Sequence, residues 1–260
     1  MKLLNLGCGS RYHPSWVNVD RRRTGPDVIP LDLTRGIPFA DDSFAAVYHS
    51  HLLEHFPKTQ APAFLKECLR LLEPGGILRV VVPNLEQIAR LYLDLLEKSL
   101  EGDPEAQACY EWILLEMLDQ IVRNEPGGQM LEYWRQNPMP AEPFVIQRVG
   151  SEALNALATL RSERADAQAR ALKDSSPARE DRDPTKIGTF RLSGEVHQWM
   201  YDRYSLGLLL RQAGLHDIQV CRAGESRIPG FNRYLLDVEA DGSVRKPDSL
   251  FMEGQKQEPR

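Results

Sequence analysis

Five short segments near the N-terminus end in residues that suit the parts of a nucleoside ligand. A strand-like run at residues 2–6 leads into Asn5-Leu6-Gly7-Cys8-Gly9, where the glycines let a ligand approach the backbone closely. A second short run ends in Asp20, an acid placed to accept hydrogen bonds from a ribose diol. A third ends in Leu31-Asp32-Leu33, where the acid suits an adenine amino group and the leucines suit the ring faces. The fourth runs into His49-Ser50-His51, and the fifth follows Pro74-Gly75-Gly76. Ligands of open α/β sheets bind beyond the carboxyl ends of the strands, where all of these residues fall. Each feature is common by itself; the five in this order are not.

The elements that must position them follow from the spacing. Strands are expected at residues 2–6, 16–19, 28–31, 44–48 and 77–82, the last apolar throughout and so buried on both faces of a parallel sheet. A helix over 59–73 carries Phe64, Leu65, Cys68, Leu69 and Leu72 on one face, and Glu73-Pro74-Gly75-Gly76 closes it. From Asn84 the period becomes helical: helices are expected from 84, over 103–123 with Pro104 at its first position, and over 152–172. Residues 173–186 read as a polar flexible linker. A helix over 203–213, strands near 218–222 and 234–238 and a flexible tail over 254–260 complete the chain. The expected organisation is a sheet domain at 1–83 and 195–240, interrupted by a helical insertion at 84–194.

Composition narrows the partners. The chain has 260 residues and a formal net charge of −5, with acids and bases interspersed. A phosphate backbone calls for concentrated basic surface, so no nucleic-acid partner is expected. Cys8, Cys68, Cys109 and Cys221 have no paired spacing, which points to neither a disulfide framework nor a cysteine metal site. No apolar run is long enough to span a bilayer and no leader precedes residues 2–6, so a cytoplasmic protein is expected.

With these residues in place, the sequence resembles the class I S-adenosylmethionine-dependent methyltransferases, over about residues 2–84 and again over 197–238. Within them it is similar to a type 11-like bacterial group that shares the segments Val17-Asn18-Val19-Asp20, Ile37-Pro38-Phe39, Ser50-His51-Leu52-Leu53-Glu54-His55 and Pro74-Gly75-Gly76. The resemblance implies a Rossmann-like seven-stranded sheet, mostly parallel with the last strand antiparallel, and S-adenosylmethionine as cofactor. It implies that Gly7 and Gly9 cradle the methionine part, that Asp20 meets the ribose, and that Asp32 and Leu33 meet the adenine. Asn5, Cys8 and Ser50 complete the expected cofactor set. Asn5 stands where most class members have an acid, and the short span from Gly9 to Asp20 leaves at most one helical turn, around residues 10–14. The similar bacterial proteins look like glycan-cluster enzymes, so a sugar or polysaccharide-precursor acceptor and a role in polysaccharide biosynthesis are expected first, with a small-molecule natural product as the alternative acceptor.

The expected reaction is in-line displacement, in which an acceptor atom attacks the activated methyl while the protein aligns the two and excludes water. For a hydroxyl acceptor a base is needed, and His51 and His197 are the candidates. His197, Trp199 and Tyr201 alternate, which predicts an extended segment pointing all three one way. The polar stripe Glu116, Asp119, Gln120 and Arg123 reads either as a solvent face or as the lining of an acceptor pocket. Arg123, Asp119, Trp199 and Tyr201 are the acceptor-binding candidates, and the insertion reads as a lid or as a homodimer interface.

Three rival readings have their own signatures. A dinucleotide oxidoreductase would have a third glycine where Tyr12 stands and a helix opening at the glycine turn. A zinc hydrolase would use His51 and His55 of an inverted zincin string, but Pro57 leaves barely one turn for it. No metal is therefore expected, and Glu54 and His55 read as braces of the turn. A non-catalytic protein with the methyltransferase fold, binding cofactor or partner, is the third alternative.

Overall fold

The structure, a computed structural model, describes residues 1–170 and 183–258. It divides into two compact units, Met1–Glu86 with His197–Arg260 and Gln87–Val196.

The first unit is built on seven strands: β1 (Leu3–Leu6), β2 (Val17–Asp20), β3 (Val28–Pro30), β4 (Phe44–Ser50), β5 (Leu72–Pro83), β6 (Leu215–Cys221) and β7 (Ser249–Lys256). Their order is β3-β2-β1-β4-β5-β7-β6. The first five are parallel, and β7 runs antiparallel to both β5 and β6. Helices α1 (Ala61–Leu71) and, further along the chain, α8 (Arg203–Ala213) pack with this sheet; α8 starts on a capping box of Asp202 and Ser205 and ends on the left-handed Gly214.

Because the parallel strands are apolar on both faces, both faces must be covered. Leu4, Leu6, Val47, Leu78, Val80 and Val82 face a core shared with α1 and α8. Leu3, Tyr48, Ile77 and Val81 face the other way, against Trp16, Phe231, Tyr234, Leu236 and Val238. That second cover is irregular chain. The strand expected at 234–238 is absent: a 3-10 turn at Phe231–Tyr234 is followed by Leu235 in the left-handed region, at φ 52°. Its apolar side chains serve as a lid on the sheet instead of joining it.

The antiparallel strand is β7, and the flexible tail expected from residue 254 is corrected accordingly: Gly254 and Gln255 pair with Leu78 and Ile77 of β5, and Lys256 with Leu215 of β6. The sheet unit thus extends beyond the expected boundary at 240. The first crossover contains no helix; Cys8 N–H donates to the Val19 carbonyl and Arg11 N–H to that of Cys8, closing the connection with turns.

The second unit is helical: α2 (Leu85–Leu100, whose first two residues belong to the sheet unit), α3 (Pro104–Val122), α4 (Gly128–Trp134), α5 (Glu142–Val149), α6 (Ser151–Arg170) and α7 (Pro184–Arg191). Its core is Trp112, Tyr133, Met139, Val145, Val149, Ala153 and Leu157. The expected linker at 173–186 falls mostly outside the described residues; its end, from Pro184, is helical and capped by Asp183, which accepts from Thr185 N–H. Among the described residues, no helix is long and apolar enough to cross a membrane.

Candidate functional site

The parallel strands bring the chemistry-bearing residues to one edge. Leu6 of β1 is in register with Val19 of β2 and His49 of β4, so Gly7, Asp20 and Ser50 follow side by side. Gly7 adopts φ +64°, and a Cβ there would lie 2.8 Å from Leu52, so the turn after β4 packs directly on the glycine turn. Gly9 also has positive φ, but an added Cβ would meet nothing within 4 Å. Here the backbone faces open space, as a site for close ligand approach requires.

Asp20 anchors this turn. Its Oδ2 accepts from Gly9 N–H at 2.8 Å and its Oδ1 from Arg22 N–H at 3.1 Å. Each oxygen retains a lone pair for another donor. Burial, aided by the Asp20 charge, pushes the Cys8 thiol up to about 12, which keeps it protonated. Asn5 is buried; its amide donates to Asn18 and to the Arg11 carbonyl, while its own oxygen accepts nothing from the described residues. Asp32 caps the 3-10 turn Leu33–Arg35 and accepts from Thr34 N–H and Oγ1, which holds its carboxyl below the usual range. Leu33 packs at the margin of the core.

The second group gathers where β4 ends. His51 has φ 50°, strained for a non-glycine residue, and its N–H donates to the Val81 carbonyl. Its Nε2 is 2.8 Å from Ser249 Oγ, and its Nδ1 is 3.4 Å from Glu54 Oε1. Burial, with Lys246, His197, Arg245 and His55 nearby, holds the His51 imidazole far below its ordinary value, so it is neutral at physiological pH. Glu54 is fully buried, and burial pushes its carboxyl up to about 8. Residues 53–55 form a single 3-10 turn, not the continuous helix that a zincin string needs.

The segment from His197 is tied to that turn by two main-chain bonds: Gln198 and Trp199 N–H both donate to the Glu54 carbonyl, at 2.6 and 3.2 Å. His197 Nε2 is 4.0 Å from Glu54 Oε1, and the His55 and His197 rings meet edge to face at 4.8 Å. Glu54, His55 and His197 each offer an atom to a common centre, all within 4.8 Å of one another. Tyr201 is buried beside them, its hydroxyl pushed up to about 12 by burial and the Glu54 charge.

The expected alternation is corrected here. His197 and Tyr201 are buried, whereas Trp199 is exposed under the Lys58 ammonium, 4.2 Å from its ring centre. In an extended strand successive N–H groups point opposite ways; two pointing at one carbonyl turn the chain and swing Trp199 outward.

In the helical unit, the solvent-face reading of the polar stripe is also corrected, because Glu116 and Asp119 are buried. Glu116 accepts from the Trp112 indole N–H and pairs with Arg148. Asp119 accepts from Gln129 N–H at 2.7 Å and occupies the space left by Gly128, where a Cβ would lie 2.5 Å away. Arg123 donates to Gln120 at 2.8 Å.

A parallel sheet extended by an antiparallel strand between β5 and β6, with a glycine turn after β1 and an acid ending β2, defines the class I methyltransferase fold. Residues 8–80 match the sequence model of a family described as methyltransferase domain. Over those residues the chain is similar to a methyltransferase domain, and S-adenosylmethionine is the cofactor this similarity suggests. No curated protein matches the chain. Among solved structures, it is similar to a chain in the complex of the Haloferax volcanii Trm112 methyltransferase activator with a methyltransferase, at 13% identity over 98% of this chain and 82% of that one, TM-score 0.41. It is similar too to S-adenosylmethionine-dependent methyltransferases from Archaeoglobus fulgidus (11% identity, 98% and 86%, TM-score 0.40) and Mesorhizobium loti (13%, 98% and 90%, 0.39).

The residues at the strand edge fit this cofactor: the backbone is open over Gly9, and Asp20 and Asp32 keep acceptor capacity. Sequence reasoning read Glu54 and His55 as turn braces and missed that they meet His197. The shared segment Glu54-His55 was the available signal, but its distant partner could not be read from local spacing.

Proposed function

We propose that this chain transfers a methyl group from S-adenosylmethionine to an oxygen of a small-molecule or glycan acceptor. The observation that supports this reading is the packing of Leu52, the residue after His51, on Gly7, which joins the turn after β4 to the glycine turn. In this reading Asn5, Gly7, Cys8, Gly9, Asp20, Asp32, Leu33 and Ser50 hold the cofactor, which supplies a methyl already activated on a sulfonium. His51 is the base. Its Nε2 takes the proton of the acceptor hydroxyl as the oxygen attacks, the acceptor replacing the Ser249 hydroxyl at that nitrogen, while Glu54 beside Nδ1 holds the ring. His197 faces Glu54 and is not assigned this role.

In this reading exposed Trp199 takes part in acceptor recognition. The helical unit contains a cavity of about 340 Å³ whose lining includes Trp134, Met139, Leu157, Arg135, Arg161, Arg164 and Glu163. Its tryptophan and its polar side chains, among them two arginines that pair with Glu132 and Glu142, suit a carbohydrate.

His51→Ala tests the role of the base. Methyl transfer from labelled cofactor to fractionated cell-extract acceptors should fall about a hundredfold or more in kcat, as for loss of a general base. Affinity for S-adenosylhomocysteine should stay at the wild-type level. Unchanged turnover in this variant would remove His51 from the mechanism.

A further inference from the structure

We propose that Glu54, His55 and His197 bind one divalent cation of the zinc class. The first ground is geometric. One atom from each residue lies within 4.8 Å of the other two, and tetrahedral zinc ligated at about 2.0–2.1 Å would draw them in to about 3.3 Å through side-chain rotation.

The second ground is charge. Glu54 is buried completely, and neither carboxylate oxygen receives a hydrogen bond from the described residues. A carboxylate is retained in such a place when it is protonated or when a cation compensates it. Three imidazoles stand around it, His51 Nδ1 at 3.4 Å and His197 Nε2 at 4.0 Å from the same oxygen, with His55 edge-on to His197; Lys246 and Asp248, of opposite charge, act on it from further off.

The ligand set names the ion. Two imidazoles and one carboxylate suit zinc with a fourth position left open, whereas magnesium and calcium require mostly oxygen ligands. The support is rigid. Glu54 and His55 share one 3-10 turn, and the two main-chain bonds from Gln198 and Trp199 to the Glu54 carbonyl lock the remote ligand His197 against it. This differs from the zincin string, in which His51 and His55 would be ligands and Glu54 a base. Here Glu54 is a ligand, His197 replaces His51, and His51 is left to act as the base.

The inference does not rest on the methyltransferase reading, because occupancy is measured directly. The purified full chain is exposed to excess Zn2+, freed of unbound metal by gel filtration and analysed by mass spectrometry for metal. The wild type should retain one zinc per chain, and Glu54→Gln and His197→Ala should fall to background. His216→Ala, which alters a half-buried histidine paired with Asp217 on β6, should retain the ion. Should His197→Ala fold poorly, the near-isosteric Glu54→Gln still decides, together with the wild-type melting temperature, which should rise with Zn2+ and not with Mg2+. A wild type that emerges free of zinc, variants that keep wild-type zinc, or an equal rise with Mg2+ would each overturn the site.

Discussion

Two buried charge clusters in the sheet unit are built from similar side chains and finished differently. In one, Arg79 of β5 donates through Nε to Asp237 at 2.7 Å and through its terminal nitrogens to Glu253 at 2.9 Å and to the carbonyls of Glu225 and Ala223. Asp237 also accepts from the Tyr48 hydroxyl, and Glu253 from Ser226 and the Arg227 N–H. Every charge there has its complement inside the fold. In the other, Glu54 is just as deeply buried, yet its oxygens accept no hydrogen bond from the described residues, and imidazole nitrogens stand 3.4 and 4.0 Å from one of them. A saturated network binds the sheet to its irregular cover. An unsaturated one, at the carboxyl end of the strands, is open to a proton, a cation or a substrate.

The comparison can be broken at its saturated end first. Arg79→Met leaves Asp237 and Glu253 buried without their cation and should cost about 3–5 kcal/mol of stability. Chemical denaturation followed by tryptophan fluorescence measures it, since Trp16 packs in the same layer. A loss below about 1 kcal/mol would mean that the network is not what fixes the segment 223–238 to the sheet.

At the unsaturated end the same kind of change should be nearly silent. Glu54→Gln keeps the shape and leaves the carbonyl that holds Gln198 and Trp199 untouched. In metal-free protein its effect on unfolding should stay within about 1 kcal/mol, because no hydrogen bond to the carboxylate is lost. A destabilisation as large as that of Arg79→Met would show that Glu54 is a structural ion pair after all.

How far the sequence revealed these regions depends on how local their signals are. The glycine turn, Asp20, Asp32 and β5 are legible because turn glycines, strand-end acids and apolar runs act within a few residues. Strand β7 is not. Met252-Glu253-Gly254-Gln255 has the polarity of a tail, and what lets Glu253 be buried is Arg79, 174 residues away. The run Tyr234-Leu235-Leu236-Asp237-Val238 has strand composition, but its apolar side chains cover one face of the sheet, a tertiary demand with no local trace. Trp199 departs from alternation for a similar reason, since the Glu54 carbonyl that turns the chain belongs to a distant segment. Asp119 and Glu116 followed helical period correctly, but their burial depends on Gly128 and Arg148, which lie on later helices.

The central claim is that S-adenosylmethionine binds at the strand edge formed by Gly7, Gly9 and Asp20. Isothermal titration calorimetry with S-adenosylhomocysteine, on the wild type and on Asp20→Ala, tests it most directly. The account predicts one binding event per chain in the wild type and a loss of about 1–3 kcal/mol in the variant, as for a hydrogen bond to a charged group. Absence of binding to the folded wild type, or the same affinity in both proteins, would contradict it.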